Sequence, residues 1–185
     1  MQYIKGMQFY QNDKKTAITL GKFDGLHRGH ETLIERVIEH QKNDGVDSVV
    51  FAFDMAPLYE KIKKKKESLI TNEERAGRLF GRVDYLVECP FVEAVSKIEA
   101  ETFIKEILVK QFHAEYIVVG TDFHFGYQKK GDYHMLQQYS GEYGYEVEVI
   151  EKKCYEDREI SSTYIKEEVK KGNMKLVTQL LGYPY

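Results

Sequence analysis

TAITLGKFDGLHRGH, residues 16–30, joins a short β-favouring run to a glycine-rich turn and then to the start of an amphipathic helix. Glycine permits the sharp bends and close ligand approach that such a turn needs, and it occurs here at Gly21, Gly25 and Gly29. His27 and His30 stand three residues apart, so both project from one side of the first helical turn. That turn also presents unpaired backbone N–H groups and the positive end of the helix dipole. The stretch therefore predicts an anion site, and a polyphosphate fits it best.

The turn and the first helical turn also resemble a known signature. GKFDGLHRGH, residues 21–30, is similar to the HxGH motif of the nucleotidyltransferase superfamily and, within it, to the N-terminal adenylyltransferase module of prokaryotic FAD synthetases. The resemblance implies adenylyl transfer from ATP to FMN, giving FAD and pyrophosphate, with His27 and His30 as catalytic residues. The ATP-binding residues that it implies here are Gly21, Lys22, Phe23, Asp24, Gly25 and Gly29.

Adenylyl transfer needs little covalent help from a protein. The FMN phosphate attacks the α-phosphorus of ATP in line, and the enzyme supplies positioning and compensation for charge on the phosphoryl oxygens. Histidines suit that task, so we expect His27 and His30 to hydrogen-bond to the ATP phosphates. Mg²⁺ is expected to bind together with ATP, because this ion is coordinated largely by substrate phosphates and water. The sequence identifies no metal ligands.

A second motif lies near the C-terminus. REISSTYIK, residues 158–166, resembles the ISSTxIR signature of the same family. The resemblance implies that Ser161, Ser162 and Thr163 bind ATP and that Lys166 is catalytic. Lys166 stands where the family usually has arginine, so the positive charge is kept while the bidentate fork is lost.

Two further segments concern the flavin. VVGTDFHFG, residues 118–126, resembles the family's VGxDFxFG element, which implies ATP binding at Gly120 and flavin binding at Asp122, Phe123 and Phe125. FAFDMAP, residues 51–57, resembles the TFxPHP loop and implies flavin contacts from Phe53 and Pro57. This loop departs from the pattern, since Ala56 replaces a histidine and Asp54 and Met55 replace the usual intervening residues.

Strand-like and helix-like segments alternate along the chain, which favours a parallel sheet with covering helices. Strands are predicted over 16–20, 48–53, 83–87, 116–119 and 145–150. Helices are predicted over 31–41, 71–80, 96–112, 133–143, 162–171 and 174–181. The expected fold is α/β, a Rossmann-like open parallel sheet of the nucleotidyltransferase type with helices on both faces. Segments 21–30, 54–57 and 120–126 follow strands, and ligands of such sheets bind beyond the carboxyl ends of the strands.

Length and charge narrow the class of protein. A chain of 185 residues predicts one domain over 1–185, and a net charge of −3 gives no electrostatic case for nucleic-acid or membrane partners. Without a signal peptide or an apolar span, a cytoplasmic location is expected. The run KIKKKK, residues 61–66, is typical of a solvated face, with a basic flap over the substrates as the alternative. The sequence does not indicate an oligomeric state.

No PTAN-like motif of a riboflavin kinase occurs, so we expect this chain to lack that activity. Two other functions stay open. One is nucleotidyl transfer to a different phosphate acceptor, such as phosphopantetheine or a nicotinamide mononucleotide, because the loop at 54–57 is altered. The other is a non-catalytic flavin- or nucleotide-binding paralogue, which Ala56 and Lys166 would motivate.

Overall fold

The computed structural model describes residues 1–63, 65 and 67–185, and a parallel sheet forms its centre. The strands are β1 (Gln2–Lys5), β2 (Thr16–Gly21), β3 (Asp47–Asp54), β4 (Tyr85–Pro90), β5 (Ala114–Gly120), β6 (His124–Phe125), β7 (Gly131–Asp132), β8 (Glu146–Ile150), β9 (Cys154–Tyr155) and β10 (Arg158–Glu159). Six of them form one sheet in the order β1-β4-β3-β2-β5-β8, and every neighbouring pair is parallel. The pairs β6–β7 and β9–β10 are short antiparallel ribbons.

Helices connect these strands. They are α1 (Arg28–Asp44), α2 (Ala56–Lys61), α3 (Asn72–Leu79), α4 (Glu93–Ser96), α5 (Ala100–Thr102), α6 (Tyr133–Tyr143), α7 (Ser162–Lys170) and α8 (Met174–Leu181). A π-helical segment, Phe103–Gln111, continues α5. None of the helices in the described part of the chain is long and apolar enough to cross a bilayer.

Strand β3 shows how the sheet separates two cores. Val49 and Phe51 pack with the π-helical segment and α6, whereas Val50 and Ala52 pack with α1 and α3 on the opposite face. All four side chains are fully buried. Burial of one such aliphatic or aromatic side chain stabilises the fold by roughly 1.5–3 kcal/mol. Two buried faces explain the continuous apolar run of this strand and confirm the predicted α/β sheet with helices on both sides.

The predicted elements are largely confirmed, with three corrections and five strands that were not predicted. Helices over 133–143 and 174–181 have the predicted bounds. The third predicted strand, 83–87, begins later, at Tyr85. The predicted helix 96–112 is broken: α4 ends at Ser96, and after α5 the chain is π-helical, with the Phe112 N–H bonded to the Ile107 carbonyl five residues earlier. The predicted loop 54–57 is the end of β3 and the first turn of α2. Edge strand β1 and the two-residue strands β6, β7, β9 and β10 were not predicted.

The basic run at residues 61–66 starts at the last residue of α2. Lys61 forms an exposed ion pair with Glu93, at 2.7 Å between Nζ and Oε2. Lys64 and Lys66 lie outside the described residues. The alternatives of a solvated face and a basic flap therefore both stay predictions.

Candidate active site

The turn between β2 and α1 has an unusual backbone. Phe23, Gly25 and Leu26 have φ angles of 48°, 89° and 39°, in the left-handed region that favours glycine. A non-glycine residue held in such a region costs on the order of 1–3 kcal/mol. The Phe23 and Leu26 side chains are fully buried in the core beneath α1 and α3, which offsets that cost. The turn is therefore held in a strained shape by the packing of its own side chains.

His27 and His30 stand together at the start of α1. His27 is the N-cap, and its Nδ1 accepts the backbone N–H of His30 at 3.4 Å. Their rings are stacked, with centroids 3.7 Å apart and an interplanar angle of 17°. Because Nδ1 of His27 accepts, the proton of its neutral ring is on Nε2, which is left as a donor. The buried Nδ1 of His30 has no hydrogen-bond partner among the described residues.

Gly29 lets this pair form. A Cβ at that position would lie 3.2 Å from Nδ1 of His27 and 3.6 Å from the carbonyl oxygen of Ile160. The first distance is shorter than most real Cβ contacts, so a side chain here would displace the His27 ring. The segment before α7 therefore lies directly against the first turn of α1.

Burial sets the charge of both histidines. It lowers the pKa of His27 to about 4, although Asp24 and Asp122 pull the pKa in the opposite direction. Burial also holds the pKa of His30 well below its usual range, and the neighbouring His27 and Arg75 lower it further. Both imidazoles are consequently neutral at physiological pH. They can act on phosphate oxygens as hydrogen-bonding groups rather than as cations.

Asp24 fastens the turn to the C-terminal motif. Its Oδ1 accepts the backbone N–H of Leu69 at 2.7 Å, and its Oδ2 lies 2.5 Å from Nζ of Lys166. Its backbone carbonyl accepts the hydroxyl of Ser162 at 2.7 Å. Residues 138 positions apart in the chain are thus brought together. In this structure the charge of Lys166 is compensated by Asp24.

The three hydroxyl residues of the C-terminal motif have different places. Ser161 is the N-cap of α7, and its Oγ accepts the backbone N–H of Tyr164 at 3.2 Å. The Ser162 hydroxyl holds the turn, as described above. Thr163 is exposed on the first turn of α7. The hydroxyl of Thr163 is therefore the most accessible of the three to a ligand.

The loop after β5 reaches the same end of the sheet, since β5 pairs with β2. A Cβ at Gly120 would lie 3.2 Å from Oδ1 of Asp122. The Asp122 carboxylate is largely exposed, and its Oδ2 lies 3.1 Å from Nζ of Lys152. Because Asp122 influences the pKa of His27, the loops after the two central strands share one electrostatic environment.

The sequence model of the FAD synthetase family matches residues 9–164, which include both histidines and the SST motif. The chain belongs to the FAD synthetase family. It is 31% identical to the bifunctional riboflavin kinase/FMN adenylyltransferase of Escherichia coli (strain K12) over 171 residues, which cover 91% of this chain and 55% of that protein. The protein of the same description from Haemophilus influenzae is 30% identical over 188 residues, covering 100% of this chain and 61% of that protein.

The chain spans 55 to 61% of the length of these two relatives. A similar solved structure is the crystal structure of a macrolide-efflux protein from Streptococcus pneumoniae, with a TM-score of 0.86 and 26% identity. That similarity covers 100% of this chain and 62% of the other. The family resemblance and the fold expected from the sequence are both confirmed.

The aromatic residues that the family resemblance assigns to the flavin have unequal access. Phe123 is half-buried and stacks on Phe125 with centroids 5.5 Å apart. Phe125 is buried in the core, with its ring 5.6 Å from that of Phe103. Phe53 is half-buried and makes an edge contact with Phe91 at 5.9 Å. Phe53 and Phe123 therefore present ring surface, whereas Phe125 supports Phe123 from the core side.

The altered loop of the family pattern folds as a helix start. Oδ1 of Asp54 accepts the backbone N–H of Ala56 at 3.0 Å, and Pro57 follows in the first turn of α2. Pro57 suits that position because the first turn has no intrahelical partner for its missing N–H. Pro57 is half-buried beside the end of β3. Its contact with a flavin stays a prediction.

Two surface clefts are lined by residues other than the two histidines. One, of about 500 Å³, is lined by residues that include Arg28, Arg78 and Tyr183. The other, of about 600 Å³, is lined by residues that include Tyr155 and Asn173. Neither His27 nor His30 lines either cleft. The candidate site at the strand ends is thus distinct from these two clefts.

A buried ion pair that the sequence pattern does not predict lies beneath the turn. Arg75 on α3 and Glu88 on β4 are buried and pair through Nη2 and Oε1. Nη1 of Arg75 also donates to the backbone carbonyl of Lys22 at 3.3 Å. The available signal was Glu88 itself, because a carboxylate inside the apolar run YLVECP needs a buried partner. The identity of that partner depends on tertiary packing.

Proposed function

We propose that this chain transfers AMP from ATP to FMN, giving FAD and pyrophosphate. The observation that carries the proposal is the stacked neutral pair, His27 and His30, at the start of a 17-residue helix in a chain of the FAD synthetase family. The two relatives above are described as riboflavin kinase/FMN adenylyltransferases. We assign the adenylyltransferase activity to a single domain over residues 1–185, because the HxGH-type and SST motifs both lie within it.

In the proposed reaction an oxygen of the FMN phosphate attacks the α-phosphorus of ATP. The new P–O bond forms as the bond from the α-phosphorus to the bridging oxygen of the β-phosphate breaks, and pyrophosphate leaves. His27 and His30 both donate to phosphoryl oxygens, His27 from Nε2. Backbone N–H groups of the first turn of α1 add to this stabilisation.

The C-terminal motif, residues 158–166, is proposed to bind the polyphosphate opposite the first turn of α1. Thr163 is an exposed residue of the first turn of α7 and Ser161 is the N-cap, where backbone N–H groups favour an anion. Lys166 lies one helical turn after Ser162. A bound phosphate would share the Lys166 ammonium with Asp24. The remaining ATP contacts proposed are backbone contacts from Gly21, Lys22, Phe23, Gly25, Gly29 and Gly120.

FMN is proposed to bind against Phe53 and Phe123, the half-buried rings, with Pro57 and Asp122 at the border. Phe125 contributes by holding Phe123 in place through the stacked contact. An aromatic surface of this kind suits a flat isoalloxazine ring.

ATP is proposed to enter as its magnesium complex. No group of three or more His, Cys, Asp or Glu side chains within the described ranges is arranged to hold a metal ion. Asp24 and Asp122, the acidic residues of the site, are each engaged with a lysine. ATP phosphates and water therefore supply the Mg²⁺ ligands in this proposal. The proposed partners are ATP and FMN, without nucleic acid, and the proposed location is the cytoplasm.

The test is a chromatographic assay of the purified chain with FMN, ATP and Mg²⁺. We expect equal amounts of FAD and pyrophosphate. Riboflavin in place of FMN is the matched control, since it lacks the phosphate that attacks, and it should give no FAD. Pyrophosphate release with phosphopantetheine or nicotinamide mononucleotide but not with FMN would contradict the proposed acceptor. ATP and FMN binding without pyrophosphate release would favour a non-catalytic paralogue.

A further inference from the structure

Arg75 links three parts of the molecule from a buried position on α3. Its side chain and that of Glu88 are each only 5% exposed, and the two form an ion pair through Nη2 and Oε1. The same Nη2 donates to Oδ1 of Asn72 at 2.9 Å, one turn earlier. Nη1 donates to the backbone carbonyl of Lys22 at 3.3 Å. The guanidinium thus joins the central sheet, α3 and the turn that precedes His27.

Glu88 also has a hydrogen-bond partner at the carboxylate oxygen that Arg75 does not contact. The hydroxyl of Tyr3, on edge strand β1, donates to Oε2 of Glu88 at 2.6 Å. Burial, together with the hydrogen bond to this carboxylate, raises the pKa of the Tyr3 hydroxyl, which stays protonated and continues to donate. Both carboxylate oxygens are therefore engaged, and the anchor of Arg75 is fixed by two strands of the sheet.

The contact at Lys22 falls where the backbone is strained. Lys22 directly precedes Phe23, whose φ of 48° begins the left-handed stretch of the turn. A charge-assisted donor on that carbonyl orients the peptide between the two residues. Four residues later the turn delivers His27. Arg75 also affects the second histidine, because its positive charge adds to burial in lowering the pKa of His30.

We propose that Arg75 is a positioning residue for adenylyl transfer, holding the Lys22–Phe23 peptide so that His27 and His30 keep their stacked geometry. The proposal rests on the proposed function above. Arg75 acts through the backbone and the electrostatics of the turn, with Glu88 and Tyr3 as its supports. A misplacement of about 1 Å at a catalytic group can cost on the order of 10²-fold in rate.

The first variant is the double substitution Arg75→Met with Glu88→Met. Removing only one partner leaves an unpaired buried charge, whereas replacing both by apolar side chains is often neutral for stability. We expect a folded protein whose kcat falls by roughly 10-fold or more, with a smaller change in the KM for ATP. The matched control is Lys15→Met with Glu115→Met, which removes an ion pair at the amino ends of β2 and β5, the opposite ends of these strands from the site, and should leave kcat unchanged.

The second variant is Arg75→Lys, which keeps a cation but loses the planar fork. The single nitrogen of lysine cannot occupy the positions of both Nη1 and Nη2, so the contact with the Lys22 carbonyl or that with Glu88 is lost and kcat should still fall. Imidazole ¹⁵N NMR gives a readout independent of activity. The pKa of His30 should rise in the double variant, where the positive charge is gone, and stay close to its original value in Arg75→Lys. Backbone amides of residues 22–27 should exchange faster in both.

A folded double variant with kcat within twofold of the unchanged chain, an unshifted His30 titration and unchanged amide exchange would overturn the proposal. Should the double variant fail to fold, Arg75→Lys decides by the same kcat and exchange measurements. Should the unchanged chain make no FAD, the proposed function fails. The NMR and exchange measurements would then still decide whether Arg75 positions the turn.

Discussion

At His27 the position of the ring decides its chemistry. The side chain caps α1 through Nδ1, and its residual exposure is only 6%. Removal from water disfavours the imidazolium, so the neutral ring with its donor at Nε2 is the form present at neutral pH. The same burial that keeps the His27 ring neutral makes the fold sensitive to acid.

Acid should therefore destabilise the fold through His27. Between its ordinary pKa of 6.5 and the folded value of about 4, the unfolded chain binds a proton that the folded chain does not, so stability falls as pH falls. The contribution lost at pH 5 is about 2 kcal/mol relative to neutral pH. Urea unfolding at pH 7.5 and pH 5 measures it.

The control for that experiment is His27→Asn. Asparagine keeps a side-chain oxygen for capping but does not titrate. The fall in unfolding free energy from pH 7.5 to pH 5 should be smaller in this variant than in the unchanged chain. An equal fall in both proteins would show that His27 is not the group responsible.

Gly29→Ala tests how closely the pair is packed. Alanine is favoured over glycine within helices, so stability should change little, while the added Cβ presses on the His27 ring at 3.2 Å. We expect kcat to fall on the order of 10-fold. Gly141→Ala on α6 is the matched control, because nothing lies within 4 Å of its Cβ. It should raise the unfolding free energy by roughly 0.5–1 kcal/mol without affecting kcat.

At the scale of elements, α3 is positioned by a capping box. Oγ1 of Thr71 accepts the N–H of Glu74 at 3.1 Å, and the Glu74 carboxylate accepts the N–H of Thr71 at 2.7 Å. Thr71→Ala should lower the unfolding free energy by about 1 kcal/mol in urea titrations. Thr102→Ala, at an exposed helical position, should change it by no more than a few tenths. Similar losses in both variants would speak against the cap.

Most elements could be predicted because their patterns are complete within the segment. The apolar run of β3 lies wholly within the strand, and the start of α3 is indicated by the N-cap Thr71 and two glutamates in the first turn. The exceptions have local causes. Gln2–Lys5 is too short for a periodicity, and it becomes a strand only by pairing with β4. The π-helical Phe103–Gln111 has a bonding pattern that an apolar stripe does not distinguish from an α-helix.

At the scale of the molecule, the site is assembled from both ends of the chain. The histidine turn and the SST motif were predictable because each carries a recognisable group of residues, and the Asp24 contacts to Ser162 and Lys166 unite them. Arg75 and the buried state of Phe125 were not predictable. Which charged side chain pairs with Glu88, and which ring of two neighbours turns inward, is decided by packing between distant segments.

The C-terminal segment also holds the turn. The hydroxyl of Tyr183 donates to the backbone carbonyl of Gly25 at 2.5 Å. Tyr183→Phe removes this bond and keeps the ring, so the unfolding free energy should fall by about 0.5–1.5 kcal/mol. Amides of residues 24–27 should exchange faster in deuterium-exchange measurements. Unchanged exchange there would mean that the segment does not restrain the turn.

The most direct test of adenylyl transfer at the histidine pair is the FAD-forming kcat of His30→Ala. Loss of one such stabilising group lowers turnover on the order of 10²-fold, and that is the fall expected here. The exposed His134 on α6 provides the control, and His134→Ala should retain the turnover of the unchanged chain. Near-normal FAD formation by a folded His30→Ala protein would contradict the assignment of the reaction to this site.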